Sequence, residues 1–277
     1  MVPHLGRIPL TRLAPSDLTE CYAAMMASGS APRTAGHAHR VLGRALRDAE
    51  VSGVVGRNVA RLVRPPRVPH AEMQTLTGEQ ARQMIEAAKG ERLGALHITA
   101  VASGARLGEL LALNWRNVDF ARGTIRIMAT MTRTEQGMVV GETKTAGSRR
   151  TVPIGRAATD ALRAHRLAQA EERLRVGLGK ASETDLVFSD ALGRPVDGTH
   201  ASHMFALFLR RAGLPRIRFH DLRHTAATLL LEAGTHPRVV AERLGHTTPA
   251  LVLNVYSHVT ERMQEQVTAV LDKVLGA

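Results

Sequence analysis

Four side chains in the C-terminal third of the chain have types and spacings that suit the binding and attack of an anionic group. His220 and Arg223 stand three residues apart at a predicted helix start, and this spacing places both on one helix face. His246 and Tyr256 are ten residues apart, and one continuous helix would separate them by about 15 Å. Gly245 and the Thr-Pro pair shortly after it predict a break between two helices. Because the chain turns there, we expect His246 and Tyr256 to converge on one point.

The chemistry predicted for this set is the binding of a phosphate rather than of a metal ion. The four residues offer hydrogen-bond donors and a phenol, and no carboxylate is among them. A metal site would combine histidines with carboxylates or cysteines, whereas this chain has one cysteine and no His-Glu-x-x-His motif. A cluster of donors suits the charged oxygens of a phosphate. His224 turns about 100° away from Arg223 on the same helix and is predicted to be structural.

The charge distribution favours a polyanionic partner. The 277 residues include 37 basic and 25 acidic side chains, which give a net charge of +12. Residues 1–70 hold ten arginines against four acidic residues, so the excess is densest there. A basic module followed by a more balanced one is typical of a nucleic-acid clamp joined to a working domain. An ordinary solvated basic surface is the alternative.

Neither secretion nor membrane insertion is indicated by the sequence. The N-terminus has no uninterrupted apolar segment of the signal-peptide kind, and no run of eighteen apolar residues occurs. Cys21 is the single cysteine, which fits a reducing compartment. The predicted location is therefore cytoplasmic, with no membrane partner.

Two domains are predicted, separated by a linker over residues 67–76. Prolines at 65, 66 and 69 stop a helix and favour an extended chain. Residues 1–66 have helical periodicity, and residues 77–277 combine helices with a few short alternating segments. The expected fold class is mainly α with a small antiparallel β-sheet (α+β). The predicted helices are 17–26, 30–53, 58–63, 77–89, 93–102, 105–113, 157–175, 200–212, 221–233, 237–244, 249–256 and 259–275, and the predicted strands are 123–130, 138–144 and 148–154.

Capping signatures mark three of the predicted helix starts. Asp17 with Glu20 resembles a capping box that opens the first helix, and Ser30 is a candidate cap for the second. Thr77 with Gln80 forms another capping box. A glycine-containing turn at 145–148 is expected to join the second and third strands.

The motif set "HDLR…LGH…Y" resembles the C-terminal signature of the tyrosine recombinase (phage integrase) family. "SGARLGELLAL" resembles the first-arginine motif of that family and supplies Arg106, with Glu109 on the same face as its expected anchor. Lys144, in "ETKTAGSRRTVPI", stands where the family has a lysine between two strands. Only four basic residues of this chain are lysines, and a lysine can release a proton whereas an arginine cannot. The resemblance covers residues 76–277, and its six matches in order are Arg106, Lys144, His220, Arg223, His246 and Tyr256.

Taken singly, each match has a plainer interpretation, such as a helix-surface charge, a solvated turn or a core aromatic. Taken together, they imply cleavage and rejoining of double-stranded DNA. Tyr256 would attack the phosphodiester and form a 3′-phosphotyrosyl bond. Arg106, Arg223 and His246 would donate to the non-bridging oxygens.

Proton transfer in this reaction is implied for two further residues. A tyrosine with a pKa near ~10 costs about 4 kcal/mol to ionise at pH 7. His220 would accept the proton of Tyr256, and Lys144 would protonate the leaving 5′ oxygen. The covalent link conserves the bond energy, so neither a metal nor another cofactor is expected.

Residues 1–66 resemble, in part, the helical (SAM-like) core-binding domain of the same family. The Asn-Pro pair usual near the end of that domain is Asn58-Val59 here, and its first helix and any arm-binding domain have no match. A start placed too late and a shortened relative are the two explanations. The resemblance also implies that the helix at 259–275 docks on neighbouring subunits, giving a tetramer on paired DNA sites. The alternative is that this helix folds back on its own domain.

Three other functions are alternatives. The chain could be a DNA-binding remnant that occupies sites without strand exchange and so competes with a recombinase. It could be a metal-dependent phosphodiesterase built on its 13 histidines. A type IB topoisomerase uses similar chemistry but fits the order of the motifs and the size of the chain less well.

Overall fold

The computed structural model describes residues 1–69, 74–135, 137–142 and 149–245. The chain forms two compact units, Met1–Glu72 and Met73–Ala277, which are called unit 1 and unit 2 below. The predicted helices 249–256 and 259–275 and the predicted turn at 145–148 lie outside the described residues. None of the helices found within them combines the length and the apolar character that a membrane crossing requires.

Unit 1 is helical. Its α-helices are α1 Val2–Leu5, α2 Pro15–Ala27 and α3 Pro32–Val51, and single 3-10 turns occupy Leu10–Arg12 and Val59–Leu62. Leu18 and Tyr22 of α2 pack with Leu46 of α3 in a small core. The last turn is held by Asn58, whose side chain accepts the Ala60 N–H.

The first two predicted helix caps of unit 1 are wrong. Helix α2 begins at Pro15, because the fixed φ of proline suits a first helical turn. Asp17 is already inside the helix, and its Oδ2 accepts the N–H of Ala14 at 2.8 Å. Helix α3 likewise begins at Pro32, and Ser30 does not cap it. In both cases the proline, rather than the polar residue, determines where the helix begins.

Unit 2 carries the remaining helices. They are α4 Gly78–Ala87, α5 Gly94–Ser103, α6 Leu107–Leu111, α7 Gly155–Arg175, α8 Gly198–Arg211, α9 Asp221–Glu232 and α10 Pro237–Leu244, with a 3-10 turn at Trp115–Asn117. The predicted capping box of α4 is confirmed, since Thr77 Oγ1 accepts the Gln80 N–H and Gln80 Oε1 accepts the Thr77 N–H. Helix α6 is shorter than predicted because Arg106 has an extended ψ of 150° and precedes the helix.

The strands form two sheets, where the sequence had predicted one. Strands β1 Val118–Asp119, β2 Thr124–Ile127 and β5 Arg150–Pro153 form an antiparallel sheet in the order β1-β2-β5, and β3 Ala129–Thr134 pairs antiparallel with β4 Gly137–Glu142. The predicted strand 123–130 therefore divides at Met128, and its second half belongs to the hairpin. The connection between β3 and β4 runs only from Thr134 to Gly137. Gly137 has a φ of 113°, a conformation that favours glycine. Because only two residues separate them, β4 pairs with β3.

Helix α5 is the centre of unit 2. Nine of its ten residues are buried, and it packs against α4, α7 and α9. It ends at Gly104, which has a φ of 64°. A Cβ at this position would lie 2.3 Å from Leu244 Cδ2. The left-handed glycine therefore lets the chain leave a buried helix and turn at once into Arg106 and α6.

Candidate active site

The structure describes three of the six predicted catalytic residues. Arg106 precedes α6, while His220 and Arg223 lie at the start of α9. Glu109 is in α6. The other predicted catalytic residues, Lys144, His246 and Tyr256, lie outside the described residues.

Glu109 holds Arg106 through both its backbone and its side chain. Oε2 of Glu109 accepts the Arg106 backbone N–H at 2.9 Å, and Oε1 accepts from Arg106 Nη1 at 2.8 Å. The carboxylate is 3% exposed, whereas the arginine side chain is 42% exposed. A buried acid thus fixes the base of Arg106 and leaves part of the guanidinium in contact with solvent.

A second arginine, Arg150 of β5, pairs with the same carboxylate. Its Nη2 lies 2.9 Å from Glu109 Oε2 and its Nη1 lies 3.4 Å from Oε1. Burial alone would raise the pKa of Glu109, but the hydrogen bond and charge of Arg150, followed by the hydrogen bonds of Arg106, lower it. Glu109 is therefore ionised at neutral pH and shared by two cations.

Arg223 is the buried cation of the site. It is 3% exposed, and its Nη1 donates to the Gly104 carbonyl at 2.8 Å, in the turn that leads to Arg106. Burial lowers its pKa to about 9, and the charges of Arg106 and Arg150 act in the same direction. Its Nη2 has no hydrogen-bond partner among the residues that the structure describes. An unsatisfied buried donor is costly, so an anionic ligand at this atom would relieve that cost.

His220 lies beside this cation at the start of α9. Its ring reaches solvent, but the atoms around it desolvate it and lower its pKa, and the nearby charges of His224 and Arg223 lower it further. The His224 ring packs edge-on against the His220 ring, with centroids 5.2 Å apart and planes at 84°. His220 is therefore neutral near pH 7 and able to accept a proton.

The start of α9 is held by Asp221, between the two predicted site residues. Asp221 is buried and accepts from the backbone N–H of Arg218 at 2.8 Å and from its Nη2 at 2.8 Å. Burial would raise the pKa of Asp221, but these hydrogen bonds and the charge of Arg218 lower it. Further along, Thr225 Oγ1 accepts the Leu76 N–H at 3.1 Å. The helix that carries His220 and Arg223 is thus anchored at its first two turns.

Sequence reasoning missed Arg150 and also Arg243, which is in the last turn of α10. Arg243 Nη2 donates to two backbone carbonyls, Ala102 O at 2.7 Å and Pro153 O at 2.6 Å. A signal for Arg150 was present, because it shares a strand face with Val152, which is buried. An inward-facing charge in a strand needs a buried partner. Arg243 has no comparable signal, since a basic residue near a helix C-terminus is common.

The described part of the site is cationic. Arg106 and Arg150 pair with the carboxylate of Glu109, and Arg223 is near enough for its pKa to respond to that charge, so these four residues have a net charge of +2. Within the described ranges, no cluster of three or more histidine, cysteine or acidic side chains could hold a metal ion.

Comparisons with known proteins identify relatives of this chain. The model of the phage integrase family matches residues 74–263. A XerC-like tyrosine recombinase of Caldanaerobacter subterraneus subsp. tengcongensis is 34% identical over 212 residues, which cover 73% of this chain and 54% of that protein. An integrase of Streptomyces ambofaciens is 32% identical over 271 residues, covering 92% of this chain and 67% of that protein. The chain thus spans about half the length of the XerC-like relative and more of the second.

Solved structures share the fold. The Tn1549 transposon integrase in complex with a circular intermediate DNA has a TM-score of 0.80 at 20% identity, covering 96% of this chain and 88% of that one. A lambda integrase dimer bound to a COC′ core site has a TM-score of 0.63 at 17% identity, covering 91% of this chain and 83% of that one. The family match extends over more than half of the chain, from residue 74 to residue 263. The chain therefore belongs to the phage integrase (tyrosine recombinase) family.

Proposed function

We propose that this protein cleaves and rejoins double-stranded DNA at specific sites, with Tyr256 as the nucleophile and a 3′-phosphotyrosyl intermediate. The observation that carries the proposal is the pair Arg223 and Arg106. Arg223 is buried and its Nη2 has no partner within the described part of the chain, and Arg106 is half-exposed on the turn that Arg223 binds. Such a pair can bind one phosphate, with Arg223 donating from the buried side and Arg106 from the solvent side.

The charge of the site suits the transition state of phosphodiester attack. The phosphate oxygens repel a nucleophile, and their charge grows as the new bond forms. Two guanidinium groups held in place before the reaction stabilise that charge without reorganising. Glu109 is not free to pair with Arg223, because Arg106 and Arg150 already occupy both of its oxygens.

Proton transfer is proposed for His220 and Lys144. The lowered pKa of His220 keeps its ring neutral, so that it can take the proton of Tyr256. Lys144 is proposed to protonate the leaving 5′ oxygen, and His246 to add a third donor to the phosphate. These last two roles rest on the positions of the residues in the sequence motifs.

DNA binding and assembly complete the proposal. Unit 1 is proposed to be the core-binding domain, because its arginines exceed its acidic residues. The Tn1549 and lambda integrase structures contain DNA, and the latter contains a dimer. By analogy, we propose self-association on paired DNA sites, as a tetramer, through residues 259–275.

The decisive experiment traps the covalent intermediate. Duplexes that the full chain retains from a random-sequence pool provide the DNA, and a nick in one strand turns them into suicide substrates. After cleavage the short fragment diffuses away, so a protein–DNA adduct accumulates and is seen on a denaturing gel. We expect this adduct with the wild-type protein in the presence of EDTA, and its loss in Tyr256→Phe with DNA affinity unchanged.

The chain offers a matched control, because Tyr22 is its only other tyrosine. Tyr22 lies in unit 1, where its hydroxyl is 3.1 Å from His39 Nδ1. Tyr22→Phe should still form the adduct, and peptide mapping should locate the phosphotyrosine at 256. An adduct in Tyr256→Phe, or one abolished by EDTA, would refute the mechanism. Tight DNA binding by the wild type with no adduct would identify a DNA-binding remnant instead.

A further inference from the structure

We propose that Arg150 and Arg243 are positioning residues that hold four elements of the active-site region in one arrangement; the proposal rests on the function proposed above. The two arginines bind β5, α6, α10 and the end of α5 to one another. Neither residue belongs to the six-residue motif set.

Arg150 is placed to organise the site rather than to touch DNA. Its side chain is 8% exposed and points from β5 to the buried Glu109. Its Nε donates to the Arg243 carbonyl at 2.9 Å, in the last turn of α10. One guanidinium thus joins β5 to α6, the helix that follows Arg106, and to the C-terminus of α10. A lysine could not make these contacts together, because it lacks the planar fork of donors.

Arg243 returns the contact in the opposite direction. Its Nη2 donates to the carbonyl of Pro153 in β5 at 2.6 Å and to that of Ala102 in α5 at 2.7 Å. Each arginine therefore binds the backbone of the other's element, and the two form a reciprocal clasp between β5 and α10. The clasp also satisfies a carbonyl at the end of α10, where intrahelical donors are lacking.

Gly245 itself lies against the clasp. It ends α10 with a φ of 69°, a conformation that favours glycine. A Cβ at this position would lie 2.9 Å from Arg150 Nη1 and 3.1 Å from its Cζ. The backbone therefore passes directly over the guanidinium, and His246 is the next residue in the sequence.

The clasp connects the parts that the proposed chemistry needs. Arg150 reaches Arg106 through Glu109, and it supports the backbone that leads into His246. It also begins β5, six residues after Lys144 in the sequence. Loss of these contacts should move reacting groups relative to one another, and a shift of about 1 Å can cost on the order of 10²-fold in rate.

The test compares Arg150→Met and Arg150→Lys with the wild type on the nicked substrate. We expect both variants to form the adduct on the order of 10²-fold more slowly, with DNA affinity unchanged. In Arg150→Met the pKa of Glu109 should rise, because its main counter-charge is gone while it stays buried. The rate of adduct formation by Arg150→Met should therefore fall with decreasing pH in a range where the wild-type rate does not change. Adding Glu109→Gln should remove that acid dependence, which a merely structural role would not predict.

The matched control is Arg126→Met on the neighbouring strand β2. Arg126 is exposed and donates only to the carbonyl of Arg116 among the contacts described for it. We expect it to react like the wild type. A wild-type rate and pH profile in Arg150→Met would overturn the proposal, as would a loss confined to DNA affinity.

A second variant covers the case in which Arg150→Met does not fold. Arg243→Gln leaves the buried Glu109–Arg150 pair intact and removes only the return contacts of the clasp. It should slow adduct formation with unchanged DNA affinity, and an unchanged rate would refute the clasp.

If the wild type itself forms no adduct, the proposed function fails. In that case a double-mutant cycle of Arg150→Lys and Arg243→Gln in thermal unfolding still decides the clasp: non-additive losses support it, and additive losses refute it.

Discussion

His97 should make the stability of unit 2 depend on pH. It lies in α5, is 2% exposed, and its ring is 4.9 Å from that of Phe208 and 5.0 Å from that of Phe205. Neither ring nitrogen has a hydrogen-bond partner among the described residues. Burial lowers its pKa from 6.5 to about 4. The residue is therefore a neutral, apolar-packed ring in the folded state and an ordinary base in the unfolded one.

The size of the effect follows from the two pKa values. Well above pH 6.5 neither state is protonated at His97, so the residue has no pH-dependent effect there. As the pH falls from 6.5 towards 4, the unfolded chain binds a proton at His97 that the folded chain does not bind, so the free energy of unfolding decreases. One pKa unit corresponds to about 1.4 kcal/mol, so the loss approaches about 3 kcal/mol at pH 4. His97→Leu should remove this loss, because leucine fills the site and cannot be protonated.

The assay is urea unfolding of the full chain followed by tryptophan fluorescence. Trp115 is the only tryptophan and is buried in unit 2, so its signal reports the unit that contains His97. We expect the unfolding free energy of His97→Leu to exceed that of the wild type by about 3 kcal/mol more at pH 4 than at pH 7. His203→Gln, which replaces an exposed histidine of α8, is the control and should leave the wild-type pH dependence in place. A difference between His97→Leu and wild type that stays constant with pH would refute the reasoning.

Local chemistry explains which parts of the fold were predictable from sequence. The range predicted for α10, 237–244, agrees with the structure, because a proline starts the helix and a glycine ends it within eight residues. The capping box of Thr77 and Gln80 is equally local. Strand pairing was not predictable in this way. Strand β5 pairs with β2, so that Arg150 lies opposite Ile127, and only the fold brings these residues together.

The same distinction between local and long-range contacts applies to the candidate site. Arg106, Arg223 and Glu109 were identified from their motifs, and the structure brings all three to the turn after α5. That Arg106 precedes α6 instead of lying within it could have been inferred, since a glutamate three residues on is a capping signature. The partnership of Arg150 with Glu109 spans 41 residues. It depends on burial at both ends, which no local pattern indicates.

Two further predictions concern the turn between α5 and α6. Arg223→Ala or Arg106→Ala should each slow adduct formation on the nicked substrate by about 10²–10³-fold, the scale for one lost oxyanion donor, and a loss below about tenfold would place that arginine outside the phosphate pocket. Gly104→Ala should destabilise unit 2 more than Gly90→Ala, which is the matched control. Both glycines have positive φ, 64° and 79°, so both alanines incur about 1–2 kcal/mol of backbone strain. Only the alanine at 104 also meets a buried side chain, with its Cβ 2.3 Å from Leu244 Cδ2, and overpacking of this kind adds about 1–3 kcal/mol. Urea unfolding monitored by Trp115 fluorescence measures both variants, and equal losses at the two positions would show that Leu244 does not constrain the turn that carries Arg106.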